Sequence, residues 1–486
     1  MPRQSKYTLI YDRIKAELES GRPPQGRLPS LLALSRTHKA SMMTVRRAVK
    51  RLEQEGYVTC HADNRGTVIN PSQSGRWPLL LQDADHPFTT ASFTVHERVT
   101  IRYLNPEYHQ ATKAMWDGIV SDFHELYPWI EVKILPPASQ PERSLRPPAE
   151  ADLVQLPACD LDDFQSRGWI GDWTDPASRD RTFANTDWMD LARAGSLTPS
   201  GVFAGMPQSL NIPLSFYCPA LLRRWIPEKT FRQFSDGWSW AAFQETANRL
   251  ATHGVATSVN LGLMTYWSSC LGRSARFMDP RADLGPLGRS IQRLNELRRH
   301  VRHPERLKFG YQQRDMPAQF LRGHVGLFNG YSFYLPLLLN AKASFDILPP
   351  PLDPGGFARA NVMTNAVGAG SGHKTEAWLL AKFIASEKVQ RRIAMAGGLP
   401  ILTRLLHGRE PIWPEPLEAR RSMIRNILAK ARPVRCSTWL QFTVYHRVAL
   451  PILQDYFNGR LPLTDACRRL QQRGGELMSL FGTETE

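Results

Sequence analysis

The 486-residue chain is 42% hydrophobic and carries a formal net charge of +16, a length that exceeds one ordinary core and fits a small domain beside a large one. No unbroken apolar run approaches the roughly 18 to 20 residues that cross a bilayer, which excludes a helical membrane protein and any membrane partner. Six scattered cysteines (Cys60, Cys159, Cys218, Cys270, Cys436 and Cys467) form no CxxC pair and exclude a disulfide scaffold, so a reducing, cytoplasmic setting is expected.

Leu9, Ile10, Ile14 and Leu18 set one helical stripe along Tyr7 to Leu18. The charges at Arg3, Lys6, Asp12, Arg13, Lys15, Glu17 and Glu19 rule out the apolar centre of an export signal. Ser20-Gly21 and Pro23-Pro24 break this helix, and Ser30 in Leu28-Pro29-Ser30 is placed to cap a second one through Leu31, Leu32 and Leu34 that stops near His38. Ser41 caps a third, with Val45, Ala48, Val49 and Leu52 inward and Arg46, Arg47, Lys50 and Arg51 free on the surface. Two short helices in tandem, the second basic, follow the helix-turn-helix pattern. Gly56 to Cys60 then reads as a strand, Asp63-Asn64-Arg65-Gly66 as a turn and Thr67-Val68-Ile69 as the returning strand of a wing. The first 71 residues hold 13 Lys/Arg against 6 Asp/Glu, a concentration of charge that suits a polyanion.

Leu28-Pro29-Ser30, Thr44-Val45-Arg46-Arg47-Ala48, Arg51-Leu52-Glu53 with Glu55-Gly56, and Asn64-Arg65-Gly66-Thr67 occur in the order in which this segment resembles the winged-helix domain of the GntR family of regulators. The resemblance implies double-stranded operator DNA as partner. It implies that Ser41, Met42, Met43, Thr44, Arg46, Arg47 and Lys50 face the major groove, and that Arg65 and Gly66 meet the minor groove or backbone. Arg46 and Arg47 are the first candidates for base and phosphate contacts, because a guanidinium fork matches guanine edges and phosphate oxygens. It also implies a homodimer on half-sites about 34 Å apart. The chain departs from the family at Met42 and Met43, where members often carry Arg and Thr, and at Leu32, so no operator sequence carries over.

Pro71 to Glu97 has linker composition, giving a division into a DNA-binding domain 1–71, a linker 72–97 and a larger domain 98–486. Val99 to Leu104 reads as a strand, Thr112 to Tyr127 as a helix with Met115, Trp116, Ile119, Val120 and Phe123 inward, and Ile130 to Leu135 as another strand. This βαβ start predicts an α/β layer fold. With His124 to Pro128, Asp152 to Leu156, Phe203 to Pro207, Ser215 to Leu222, Trp240 to Leu250, Gln319 to Gly330, Glu376 to Ser386, Gly397 to Pro400 and the final helices around Ala431-Arg432-Pro433 and Asp465-Ala466-Cys467, the large domain resembles the family 1 extracellular solute-binding proteins of ABC importers. One departure is the proline-rich Pro136 to Pro148, where the family usually has a helix. The expected fold class is therefore multidomain: an N-terminal winged helix-turn-helix joined to a C-terminal α/β two-lobed clamshell of the type 2 periplasmic-binding-protein fold.

In an open α/β sheet, ligands bind beyond the carboxyl ends of the strands. That rule selects the loops Asn105 to His109, Pro157 to Asp160, Asn211 to Phe216, Met264 to Trp267, Asn329 to Phe333 and Thr364-Asn365. The candidate ligand-binding residues on them are Tyr108, Asp160, Asn211, Tyr266, Trp267, Asn329, Tyr331 and Asn365. Aromatic faces stack on the C–H faces of sugar rings while carboxylates and amides serve hydroxyls, so the mixture suits a carbohydrate effector.

Enzyme readings find no support, and neither a catalytic residue, a metal site nor a cofactor is expected. A GntR regulator fused to a pyridoxal-phosphate aminotransferase-like domain needs a Schiff-base lysine in a Ser-x-Ser-Lys-like context, whereas Lys374 follows Gly372-His373. Gly368 to Thr375 falls short of a P-loop because His373 stands where glycine precedes lysine, and reads as a strand-to-helix turn. His300 and His303 form a lone HxxH. A transport receptor is the other alternative, disfavoured by the DNA-binding segment at the N-terminus. The expected function is a ligand-responsive, DNA-binding transcription regulator.

Overall fold

Apolar periodicity becomes three helices and a hairpin at the N-terminus: α1 (Lys6–Ser20), α2 (Leu31–Thr37), α3 (Met42–Gln54), and β1 (Val58–Cys60) antiparallel to β2 (Thr67–Ile69). The structure is a computed structural model that describes residues 6–20, 28–54, 57–60, 67–69, 98–135, 150–180, 186–260, 307–310, 315–352, 354–434 and 448–480. The chain divides into two compact units, residues 1–100 with 121–132 and 175–186, and residues 101–120, 133–174 and 187–486.

The small core draws Ile10, Tyr11, Ile14 and Leu18 from α1, Leu34 from α2, Val45, Ala48, Val49 and Leu52 from α3, and Val58 from β1. Each large aliphatic enclosed in this way contributes about 1.5–3 kcal/mol. Ser30 caps α2 by accepting from the Ala33 amide at 3.2 Å, and Ser41 caps α3 by accepting from the Thr44 amide at 3.2 Å, as the sequence predicts. The turn between them is clasped by Ser35, whose hydroxyl donates to the Ala40 carbonyl at 2.6 Å while its own carbonyl accepts from the Ala40 amide at 3.1 Å. Lys39 takes the left-handed conformation in that turn, with φ 46°.

The large domain is built on two sheets. The first contains β3 (Val99–Leu104), β4 (Ile130–Leu135), β5 (Leu153–Pro157), β6 (Met206–Asn211), β12 (Arg359–Val367) and β13 (Arg432–Pro433), in the order β13-β12-β5-β3-β4, with β6 also paired to β12. The second contains β7 (Pro213–Tyr217), β8 (Thr257–Asn260), β9 (Leu307–Gly310), β10 (Leu327–Tyr331) and β11 (Asp346–Leu348), in the order β11-β7-β10-β8-β9. Both sheets follow one plan: strands in the spatial sequence second, first, third (β4-β3-β5 and β9-β8-β10), then an antiparallel strand beside the third. That antiparallel strand adjoins, in chain order, strands of the other sheet in each case. β7 is laid down as the chain leaves the first sheet, and β12 as it returns from the second.

Both crossings are tied by hydrogen bonds, and the first is short. Ile212 alone separates β6 from β7; its amide donates to Ser332 Oγ at 3.0 Å, and the Ser332 amide donates to the Ile212 carbonyl at 2.9 Å. At the return crossing the Tyr331 hydroxyl donates to the Arg359 carbonyl at 3.1 Å. The helical end of the chain, Leu450–Phe457 and Leu463–Leu480, packs Ile452, Leu453, Ala466, Cys467 and Leu470 against Tyr217, Leu222 and Leu327 of the second sheet's surroundings.

Several local expectations change: Asn211 to Phe216 and Asn329 to Phe333, expected as loops, are largely strand, since β6 runs to Asn211, β7 covers Pro213–Tyr217 and β10 runs to Tyr331. Ala431-Arg432-Pro433 is not helical: the helix Arg421–Lys430 ends, and Arg432–Pro433 pairs in parallel with Arg359 and Ala360. Proline fits at a sheet edge because it has no amide to donate. Thr364 and Asn365 do not form a loop but lie inside the nine-residue β12, paired with β5 on one side and β6 on the other. The strand-to-helix reading of Gly368 to Thr375 matches the structure, since β12 ends at Val367 and a helix begins at Lys374.

Candidate functional site

Two surfaces carry the chemistry. On α3 the buried positions Val45, Ala48, Val49 and Leu52 occupy one side, leaving Met42, Arg46, Arg47 and Lys50 exposed with Met43, which is 64% exposed. Met42 and Arg46 are one helical turn apart, as are Met43, Arg47 and Lys50 in succession, so apolar tips and cations share one outward stripe. Ser41 and Thr44 hydroxyls sit 2.8 Å from each other at its start. The Arg47 guanidinium lies 5.6 Å from the centre of the Tyr7 ring, within cation–π range. Arg51 departs from its expected freedom: its guanidinium stands 4.2 Å over the Tyr11 ring and fastens α3 to α1. Arg65 and Gly66 lie outside the described residues.

In the large domain the candidates divide into three groups. Asn329 and Tyr331 lie on β10, Asn211 at the end of β6, and all three are buried beside the Ile212 crossing. Asn329 Oδ1 accepts from Ser215 Oγ at 2.8 Å, and its Nδ2 has no partner among the described residues. Asn211 Oδ1 accepts from Ser332 Oγ at 3.3 Å, and Tyr331 stacks on Phe333 with ring centres 5.9 Å apart. Tyr108 and Asp160 stand on separate turns: Tyr108 donates to Asp117 Oδ1 at 2.9 Å, and Asp160 is buried where β5 passes into the helix Leu161–Ser166. Tyr266 and Trp267 lie outside the described residues, as does the His300/His303 pair.

Asn365 belongs to a third group that the sequence reading largely missed. Cross-strand register sets Asn365 opposite Gln155, and the parallel pairing of Tyr103 with Leu153 and of Leu104 with Val154 carries Asn105 alongside Gln155. The Tyr103 hydroxyl lies 2.7 Å from Asn365 Oδ1 and 2.8 Å from Gln208 Oε1; Asn365 Nδ2 donates to Gln208 Oε1 at 2.9 Å, and Gln208 Nε2 donates to Glu107 Oε2 at 3.0 Å. Neither side-chain polar atom of Gln155, nor Nδ2 of Asn105, makes a hydrogen bond of ordinary geometry among the described residues, although both residues are buried and the Gln155 amide stands near enough to Glu107 to favour its carboxylate. Burial pushes the Glu107 carboxyl above its ordinary range, and the amides of Gln155 and Gln208 beside it oppose that only in part. Buried amides without partners are costly unless something completes them. The sequence signal was available: Gln155 and Gln208 are amides inside fully or nearly fully buried strands.

A separate polar group holds the second sheet to the helices after it. Arg420 forks onto Asp346 with Nε to Oδ1 at 2.9 Å and Nη2 to Oδ2 at 2.5 Å, and the Tyr217 hydroxyl donates to Asp346 Oδ2 at 2.7 Å. The phenol is held above its ordinary range by burial first and the adjacent carboxylate second. Among the described residues no group of three or more His, Cys, Asp or Glu could hold a metal ion, and no helix is long and apolar enough to cross a membrane.

Residues 6–69 match the bacterial regulatory proteins of the gntR family. Among curated proteins none matches the chain. The remaining length has the fold of solute-binding proteins. An ABC substrate-binding protein from Listeria monocytogenes in complex with cycloalternan superposes with a TM-score of 0.64 at 15% identity, over 79% of this chain and 100% of that one. Maltose-bound MalE3 of T. maritima gives 0.63 at 17% identity, over 78% and 100%. The GacH receptor of Streptomyces glaucescens GLA.O, solved unliganded and with acarbose, gives 0.61 at 17% identity, over 78% and 98%. The chain thus joins a GntR helix-turn-helix domain to a domain with the fold of periplasmic sugar-binding proteins.

Proposed function

We propose that this chain is a cytoplasmic, non-enzymatic transcription regulator in which a GntR-type domain binds operator DNA and the two-sheet domain senses a small solute of the carbohydrate class. The observation that carries the reading is the presence on one chain of a gntR-family domain and a fold shared with proteins solved with cycloalternan, maltose and acarbose. The amide-rich row of Asn105, Gln155, Asn365 and Gln208 with Glu107 supports a polyhydroxylated ligand, because the unpartnered side-chain atoms of Asn105 and Gln155 in it suit hydroxyl groups. DNA contact falls to Ser41, Met42, Met43, Thr44, Arg46, Arg47 and Lys50, with Arg65 and Gly66 of the wing, in a homodimer.

Solute acts by preferring one of two hinge states, and a coupling of about 1–3 kcal/mol changes operator affinity roughly 5- to 150-fold. The test is a thermal-shift screen of the full chain against mono- and oligosaccharides, polyols and amino acids, followed by binding to duplexes selected from a random pool, with and without each hit. A sugar that both stabilises the protein and changes DNA affinity is the expected result. Sugars that stabilise it while DNA affinity stays constant would sink the coupling, and a protein that selects no duplex at all would sink the regulator reading.

A further inference from the structure

Apolar side chains at the leading end of a recognition helix are costly to leave in water, and on α3 there are two in succession. Met42 is 50% and Met43 64% exposed, while every other large apolar side chain of the helix is buried. They precede Arg46, Arg47 and Lys50 on the same outward stripe, so whatever the cations hold against the helix is also held against the two thioethers. The cations suit phosphate, which commits the face to a nucleic-acid occupant rather than to an apolar protein groove. Within the major groove the one apolar group on a base edge is the C5-methyl of thymine; the remaining edges present donors and acceptors that methionine cannot satisfy.

We infer that Met42 and Met43 read thymine methyl groups, so that this regulator recognises its operator half-sites through apolar contact at the positions they cover. The inference rests on the DNA-binding reading above and deepens it by naming the base chemistry. The unbranched, polarisable methionine side chain suits the task, because it adapts to a methyl group without needing a fixed hydrogen-bond geometry. Guanine at these positions would leave the N7 and O6 acceptors desolvated against a thioether.

The experiment selects duplexes from a random pool with the full-length protein, then replaces each selected thymine by deoxyuridine, which removes the methyl and leaves the protein unchanged. Each contacted methyl is expected to be worth roughly fourfold in affinity, the value of one buried carbon group. Met42→Ala with Met43→Ala should weaken binding to the thymine duplex about tenfold and abolish the thymine-to-uracil difference. Met42→Arg should move the selected base toward guanine. Selected sites with guanine at these positions, or sites whose affinity is indifferent to the methyl, would overturn the inference while leaving DNA binding intact. Failure to select any duplex even at low salt would overturn both readings together.

Discussion

Glu107 shows how burial of a single residue makes stability depend on pH. Its carboxyl is held above the ordinary range by burial, so the fold favours the protonated form. That stabilisation is complete below the unfolded value of about 4.5 and is lost as pH rises through the raised folded value. At neutral pH the charged form therefore weakens the fold. Glu107→Gln is expected to raise the melting temperature at pH 7 and to flatten its dependence on pH in the mildly acidic range, as followed by calorimetry from pH 4 to 8. If the carboxylate serves the solute, the same variant binds sugar more weakly, since a stabilising change at a site is commonly paid in function. Gly368 has a different constraint: its amide donates to the Asp152 carbonyl at 3.0 Å, and a Cβ added there would run into the Ala151 carbonyl oxygen. Its place at the head of a P-loop-like run is explained by this close backbone approach, not by a phosphate. Gly368→Ala should cost at least about 1–3 kcal/mol, measured by urea denaturation.

At the scale of elements, the Ile212 crossing between the two sheets is the sensitive point. Ser332 serves both sides of the Ile212 crossing, accepting from its amide and donating to its carbonyl. The backbone half of that exchange survives in Ser332→Ala, but the buried Ile212 amide loses its acceptor. A loss of about 1–3 kcal/mol is expected, read as a lower denaturation midpoint. Much at this scale was legible beforehand. Capping serines at Ser30 and Ser41 and the stripe Val45, Ala48, Val49 and Leu52 fix α2 and α3, and the alternation in Val99–Leu104 fixes the first strand of the large domain. The interior of β12 was not legible, because Asn361 and Asn365 are residues that strands disfavour. Thr364 and Asn365 are accommodated there because neighbouring strands meet their polar atoms, as Leu156 accepts from Thr364 and Gln208 from Asn365. Such partners are distant in sequence, which is why the row of Gln155 and Gln208 escaped a reading based on loops. Arg51 was misjudged for the same reason: an exposed helical position gives no sign that Tyr11 will cover it.

For the molecule as a whole, the proposed DNA binding carries a measurable signature. Each phosphate neutralised contributes about −0.9 to the slope of log affinity against log salt. Lys50→Ala should therefore make that slope shallower by about two units if two copies grip the duplex and by about one if a single copy does, so a salt titration of the variant reads the stoichiometry.

The exchange of strands between the two sheets also sets a timetable for synthesis. The first sheet begins with β3 at Val99 but awaits β12 and β13, the latter at Arg432–Pro433, whereas the buried core of the N-terminal helices and hairpin is drawn entirely from residues 10–58. At roughly 5–20 residues per second, the emerging chain thus carries a helix-turn-helix domain with its own core for many seconds before the large domain can close its first sheet. Ribosome-bound chains halted near residue 350 should accordingly yield a protease-resistant N-terminal fragment and an unprotected remainder.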